Sequence, residues 1–522
     1  MKNSPSIRWS CLLVATLMSA SAVPVFADAA APQVRMRWQD FSSGPDGAKR
    51  VASLQKAVAK MKSLDSADPT SVDFRRSWAY WANIHGYYGA SSPDGTVQQQ
   101  IDYLNQNGLS QYVPYYQGIA DQTPPDSVAT TTWATCQHGG PPGSFFGWHR
   151  MYLYYFEQVL RWAAEDPTLR LPYWDYTDTT QLAMPSVYRV SSSVFFDDKR
   201  NPQLNSGAAT LSALRTNINN ALTVSDYFTY EQRIENGVHG YVHCTVGPTC
   251  PVAHMGDVPV AGNDPIFYSH HANIDRMWAC WQNLYPTPSG DWQNQTFSFP
   301  DATGTLQTKP ISAFFDSAAN GYVYDNSTNC SRPAAGPTLA SGPGAAKKGK
   351  MLGSKKAVAV SKPLTQVEIG APKAMVKSTM AALAPKERLE LVLRDVTAQS
   401  PPGVMFDVFL SKKGNPKSRQ LAGVISFFGA FRHGHGTSHD AAHDKDSGAM
   451  AAKTFEFDVT DLVRQLGEAE LMVEIEATDG RTMVEPAAAE AAKKTAAAAF
   501  RAEAKLMIGS VELRTTGTSP ES

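Results

Sequence analysis

Asn263-Asp264-Pro265-Ile266-Phe267-Tyr268-Ser269-His270-His271-Ala272-Asn273-Ile274-Asp275-Arg276-Met277-Trp278 is the stretch that decides how this chain is read. Asp264 is a helix cap, and Pro265 suits the first helical position, where its missing N–H would have had no partner anyway. The helix begun there carries His271, Ile274, Asp275 and Trp278 and stops before Pro286. In His239-Gly-Tyr-Val-His243 two imidazoles stand four residues apart, on one face if the segment is helical. Together with His271 they make one triple, and His85, His138 and His149 make a second. Each triple can hold one metal ion and leave a coordination position open, as catalysis requires. Imidazole donors suit copper, zinc, iron or nickel rather than magnesium or calcium, and two facing redox ions with no carboxylate ligand point to dioxygen chemistry. Taken singly, each histidine reads as an ordinary core residue; the grouping is what speaks for metal.

Working outward, Ser71 caps a helix expected to run through Trp78 and Trp81 to His85. Ser144 caps another, in which His149, Leu153, Phe156 and Leu160 recur at helical spacing until Pro167 ends it. From about Val34 to Tyr324 the composition is that of a compact domain rich in Trp and Tyr. From there Ala, Gly, Pro, Ser and Lys take over, as in Lys347-Lys348-Gly349-Lys350, and the expectation is a mobile, protease-sensitive linker. The last part alternates as strands do: Leu389, Leu391 and Leu393, then Val404 to Leu410, Phe455 to Val459, Leu471 to Ile475 and Leu506 to Leu513. An Ala-rich run from Ala487 to Ala504 interrupts them as a helical excursion. The expected fold is α + β and multidomain: a mainly helical core with a four-helix bundle, then an antiparallel β-sandwich. The expected domains are a signal peptide over 1–27, a catalytic domain over 28–325, a linker over 326–385, the β-domain over 386–516 and a tail over 517–522.

Bulk properties exclude some partners. A net charge of −1 gives no electrostatic case for nucleic acid or an anionic membrane surface. Lys2 and Arg8, the apolar run Cys11 to Phe26 and a small-x-small end at Val25-Phe26-Ala27 read as a secretory signal, so a secreted or periplasmic location with no membrane anchor is expected. With Cys11 removed, Cys136, Cys244, Cys250, Cys280 and Cys330 remain. An odd number leaves at least one outside any intramolecular disulfide. Cys244 can pair with the nearby Cys250, and Cys280 with Cys330, which leaves Cys136.

Several of these segments resemble one family. Phe145-Phe146-Gly147-Trp148-His149-Arg150-Met151-Tyr152-Leu153-Tyr154-Tyr155-Phe156-Glu157 is similar to the CuA signature of tyrosinases and catechol oxidases, and the opening stretch to their CuB signature. Ala82-Asn83-Ile84-His85, Pro172-Tyr173-Trp174-Asp175 and Gly321-Tyr322-Val323-Tyr324-Asp325 resemble further segments of plant polyphenol oxidases, and the β-region resembles their shielding domain. The resemblance, to a bacterial member of the family with a plant-like lid, implies two copper ions in a type-3 centre. His85, His138 and His149 match one ligand set, and His239, His243 and His271 the other. In the histidine pair the family's ligand is the second, which gives His270 a supporting role. It implies oxidation of o-diphenols to o-quinones by O2 in a latent, lid-covered form, with monophenol hydroxylation and melanin formation as family possibilities. A hemocyanin-like O2 carrier is the alternative, and a zinc or structural site the other.

The resemblance also assigns finer roles. Cys136-Gln137-His138 matches the Cys-x-His of fungal tyrosinases, whose sulfur is bonded to the histidine ring; a plain buried thiol is the alternative. Glu235 stands where plant enzymes have a glutamate that holds a water, and could help deprotonate a phenol. Gly240 stands where some bacterial tyrosinases have an assisting Asn, which favours diphenols over monophenols. Val258 aligns with a residue that gates access over the first copper, with core packing as an equal reading. Asp275 either orients an imidazole or pairs with Arg276 or Arg150. His433, His435, His439 and His443 form a loop that binds stray copper or is merely solvated.

Overall fold

The computed structural model describes residues 32–213, 215, 222–325, 349–384, 387–431, 450–467 and 469–516. The expected signal segment, the first part of the expected linker with Cys330, the four histidines over 433–443 and the tail lie outside the described residues.

The N-terminal part is helical and built on aromatic packing. Ser71 and Ser77 each cap a helix, accepting from Phe74 N and Tyr80 N, so the expected single helix to His85 is two, Val72–Arg75 and Trp78–His85. A second serine with its own capping hydroxyl restarts the helix and re-aims it. The helix Ser144–Ala164 includes Ser144 rather than being capped by it. The residue before it, Gly143, has φ of 91°, a left-handed backbone that glycine adopts without strain. The cap comes from elsewhere in the chain: the Glu231 carboxylate accepts from Gly143 N at 2.6 Å and Phe146 N at 3.1 Å. Asp264 does cap as expected, accepting from Ile266 N at 3.0 Å, and the helix Ile266–Leu284 follows. Phe146 stacks on Trp278 across these last two helices, their centroids 5.4 Å apart and 12° from parallel, and Phe156 stacks on Tyr268 at 3.7 Å.

The C-terminal part consists of two four-stranded antiparallel sheets on one hydrophobic core. One has the order Asn415–Ile425, Met405–Lys412, Leu471–Thr478, Leu364–Glu368; the other Lys453–Asp458, Leu389–Thr397, Leu506–Thr515, Met351–Val360. Three of these strands were not expected, and two fall inside the expected linker, as does the helix Lys373–Ala382. The linker boundary at 385 is therefore corrected: by Met351 the chain already belongs to the β-domain. The reason is the edge position of both strands. In Met351–Val360 only Leu352, Val358 and Val360 are buried, and lysines cover the outer face, as suits an edge. The Ala-rich excursion is the helix Pro486–Ala499.

The two parts are docked through paired charges and shared strands. Arg215 holds Asp407 through two bonds of 2.5 and 2.7 Å and Gly480 O at 2.8 Å; Arg233 reaches Glu390 and Glu456. Thr482–Met483 pairs with Ala209–Thr210, and Tyr241 donates to Gly480 O at 2.9 Å. Cys244 and Cys250 are joined as expected; Cys280 is disulfide-bonded, and Cys330, its expected partner, lies outside the described residues; Cys136 is buried. No helix among the described residues is long and apolar enough to cross a membrane.

Candidate metal centre

Each of the six histidines is placed by a short piece of regular structure or a tethered loop. His85 ends the helix Trp78–His85, His149 lies in the first turns of Ser144–Ala164, and His271 near the start of Ile266–Leu284. His239 ends a wide helical turn, Glu235–His239, and His243 lies in the helix Gly240–Val246 that continues it. His138 is on a loop held from below by Glu235, whose Oε1 accepts from Gly139 N at 2.6 Å and lies 3.7 Å from His138 Nδ1.

The ring nitrogens are sorted by their partners. Nδ1 of His85 bonds Val258 O at 2.9 Å, that of His149 bonds Phe145 O at 2.7 Å, that of His239 bonds Glu235 O at 3.2 Å, and that of His243 bonds Met255 O at 2.6 Å. A carbonyl can only accept, so each of these rings carries its proton on Nδ1 and turns the Nε2 lone pair inward, the tautomer a metal ligand needs. Burial pushes His149 and His243 down to about 3, and burial followed by neighbouring imidazoles pushes His239 and His271 well below the usual histidine range. The rings are thus neutral, the form that binds metal.

The spacing fits metal. His138 Nε2 lies 3.4 Å from His85 Nε2, and His243 Nε2 3.3 Å from His271 Nε2. Two tetrahedral donors about 2.0–2.1 Å from a shared ion stand about 3.3 Å apart. The ligand atoms of His85, Cys136, His138 and His149 all lie within 4.8 Å of one another, as do those of His239, His243, His270 and His271. The groups face each other: His149 stacks on His271 with centroids 4.4 Å apart and 7° from parallel, and His138 stacks on His239 at 5.1 Å.

Other expected residues are placed less simply. The Cys136 sulfur shares the first group with His138 and lies 3.5 Å from Nε2 of His149. His270 is in the second group, with Nδ1 2.8 Å from the Tyr176 hydroxyl. Val258 supplies the carbonyl for His85 and lies against Gly429 of the β-domain. At Gly240 a Cβ would come within 2.3 Å of Ser426 Oγ of the β-domain, so a larger residue there would make that hydroxyl turn away. Asp275 does not touch an imidazole. It pairs with Arg150 at 2.5 Å and Arg35 at 3.2 Å and accepts from Tyr322 at 2.8 Å and Tyr324 at 2.7 Å. Of its two expected roles the Arg150 pair holds: burial alone would raise its pKa, but Arg150 and Arg35 outweigh burial and keep it an anion.

One residue of the site escaped sequence reading. Phe428 stacks on His243 with centroids 3.7 Å apart and 12° from parallel, and meets His138 and His239 edge-on at 5.5 and 5.4 Å. It belongs to the aromatic core of the helical part, whereas its neighbour Phe427 belongs to the core of the β-domain. The available signal was Phe427-Phe428-Gly429, an aromatic pair running into a glycine, which forms a turn closed by Ala430 N on Phe427 O at 3.0 Å.

Residues 75–210 and 196–284 match the model of the common central domain of tyrosinase. Over residues 75–284 the chain carries a tyrosinase central domain. It is 28% identical over 371 residues to the latent form of a chloroplastic polyphenol oxidase from Prunus armeniaca, covering 62% of this chain and 59% of that one. To a tyrosinase from Hahella sp. it is 29% identical over 306 residues, 52% of this chain and 59% of the other. It spans about half the length of the curated relatives it matches. The fold is similar to that of a latent aurone synthase (polyphenol oxidase), with a TM-score of 0.56 at 19% identity over 94% of this chain and 90% of that chain. The chain thus has a helical core with a C-terminal β-domain, and its two imidazole groups are fitting hosts for the pair of type-3 copper ions that goes with the tyrosinase central domain.

Proposed function

We propose that the chain is an exported polyphenol oxidase that oxidises o-diphenols to o-quinones with O2, and that it is made latent by its β-domain. The observation that carries the proposal is the pair of facing imidazole triples, four of whose rings have Nδ1 fixed by a backbone carbonyl. In this reading His85, His138 and His149 hold one copper and His239, His243 and His271 the other, within a four-helix bundle, and the paired sheets form a sandwich over it. Bound there, the copper pair supplies the two-electron exchange between a diphenol and O2.

The remaining work belongs to the chain. Neutral imidazoles leave the metal charge uncompensated, which favours a phenolate next to it. Glu235, anchored by Gly139 N, takes the phenol proton directly or through a water. The face of His243 now covered by Phe428 is the surface on which a substrate ring would lie, so Phe428 excludes phenols until the β-domain is displaced. Gly240 presents no side-chain amide, and its space is taken by Ser426, which favours diphenols over monophenols. A thioether between Cys136 and His138 is part of the proposal, supported by their shared donor group. It would restrain a ligand that sits on a loop.

The test compares a catechol with the matching monophenol on copper-loaded protein after limited proteolysis between the two domains. Quinone formation from the catechol, with the monophenol slow, is expected. Reversible O2 uptake with no quinone would sink the enzyme reading in favour of a carrier.

A further inference from the structure

The second imidazole group holds one ring more than a trigonal copper site needs. His270 is fully buried; its centroid lies 4.8 Å from that of His243 and 5.5 Å from that of His239. Its Nε2 has no hydrogen-bond partner, while its Nδ1 is held by the Tyr176 hydroxyl at 2.8 Å. When Nδ1 carries the proton and donates to that oxygen, the lone pair is left on Nε2, free to bind an ion shared with the neighbouring imidazoles. A buried polar atom without a partner is costly to keep, and a metal ion is a partner this surrounding can supply. One ligand atom of each of His239, His243, His270 and His271 already lies within 4.8 Å of the others. Donors on opposite sides of a shared ion, each about 2.0–2.1 Å from it, are about 4.2 Å apart, so a small contraction brings four nitrogens onto one ion.

The two members of the pair face different ways. His271 stacks on His149 of the opposite group, whereas the ring contacts of His270 are with its own group and Tyr176. We propose that His270 is a holding ligand: a copper ion bound in this pocket alone is held by His239, His243, His270 and His271, and His270 withdraws once the facing pocket is filled. A four-imidazole set closes the coordination sphere and shields a lone ion from O2; a three-imidazole set opens the position a working pair needs. Tyr176 is a positioning residue that keeps the His270 proton on Nδ1. The proposal rests on the reading of His239, His243 and His271 as the host of one copper.

The test uses the full chain carrying His85→Ala and His149→Ala, so that the second pocket alone can load, with one equivalent of Cu(II). Electron paramagnetic resonance is expected to show four coupled nitrogens, falling to three on adding His270→Ala or the bulkier His270→Phe. Competition of Cu(I) against a chromogenic chelator is expected to show a loss of about 10–100-fold in affinity for Tyr176→Phe. Three nitrogens in the parent, or four retained after either His270 substitution, would overturn the proposal while leaving the pocket reading intact. No copper uptake, or an unchanged signal in His243→Ala, would instead overturn the pocket reading and the proposal together.

Discussion

At the scale of single residues, the site works through fixed protons. Four imidazoles have Nδ1 committed to a carbonyl. Sequence could group these histidines because HxxxH spacing and helix caps are local signals. It could not supply the carbonyls of Val258 and Met255, which come from the chain between the two halves of the second triple. Nor could it assign Phe428, because stacking on His243 depends on how two domains dock. Replacing Phe428 with alanine should raise catechol turnover of the uncleaved, copper-loaded protein by roughly tenfold, the factor that ~1.4 kcal/mol makes in a rate. An unchanged rate would mean that Phe428 is packing and not a plug. Asp275 is the opposite case: the sequence offered an imidazole or an arginine partner, and the fold chose Arg150 and Arg35. Asp275→Ala should cost about 3–5 kcal/mol, because it leaves two buried guanidinium groups short of their anion. Chemical denaturation checks this; a cost below about 1 kcal/mol would contradict it.

At the scale of elements, the informative cases are those where a local signal was overridden. Ser144 looks like a cap, but the cap is Glu231, far away in sequence, accepting from Gly143 N and Phe146 N. Burial pushes the Glu231 carboxyl up to about 8 against the opposing pull of those two N–H groups. A carboxyl with a native pKa above its unfolded value takes up a proton on folding. Its contribution to stability is therefore greatest below the unfolded pKa, about 4.3, and falls as pH rises toward about 8. Glu231→Gln imitates the protonated form and should flatten the fall in melting temperature between pH 5 and pH 8; equal slopes in the two proteins would refute the assignment. The strands Met351–Val360 and Leu364–Glu368 were hidden for a different reason. Edge strands bury few residues: Leu364–Glu368 buries only Val367, and the unburied Gly, Ser, Lys and Ala residues of Met351–Val360 have the composition of a linker.

At the scale of the molecule, the domain order and the metal chemistry were legible because the histidine segments are long and aromatic, while the docking was not. Arg215 with Asp407, and Arg233 with Glu390 and Glu456, join residues far apart in sequence, and no local pattern links them. Asp407→Ala should loosen the β-domain and let linker proteolysis proceed to activation sooner, read as a shorter lag before catechol oxidation; an unchanged lag would show that the pair does not hold the lid.

Copper analysis of the purified, copper-loaded chain beside His85→Ala and His243→Ala tests the central claim most directly. Two coppers per chain are expected in the parent and one in each variant, with catechol oxidation lost in both. Zinc in place of copper, a single copper in the parent, or two coppers retained in either variant would contradict it.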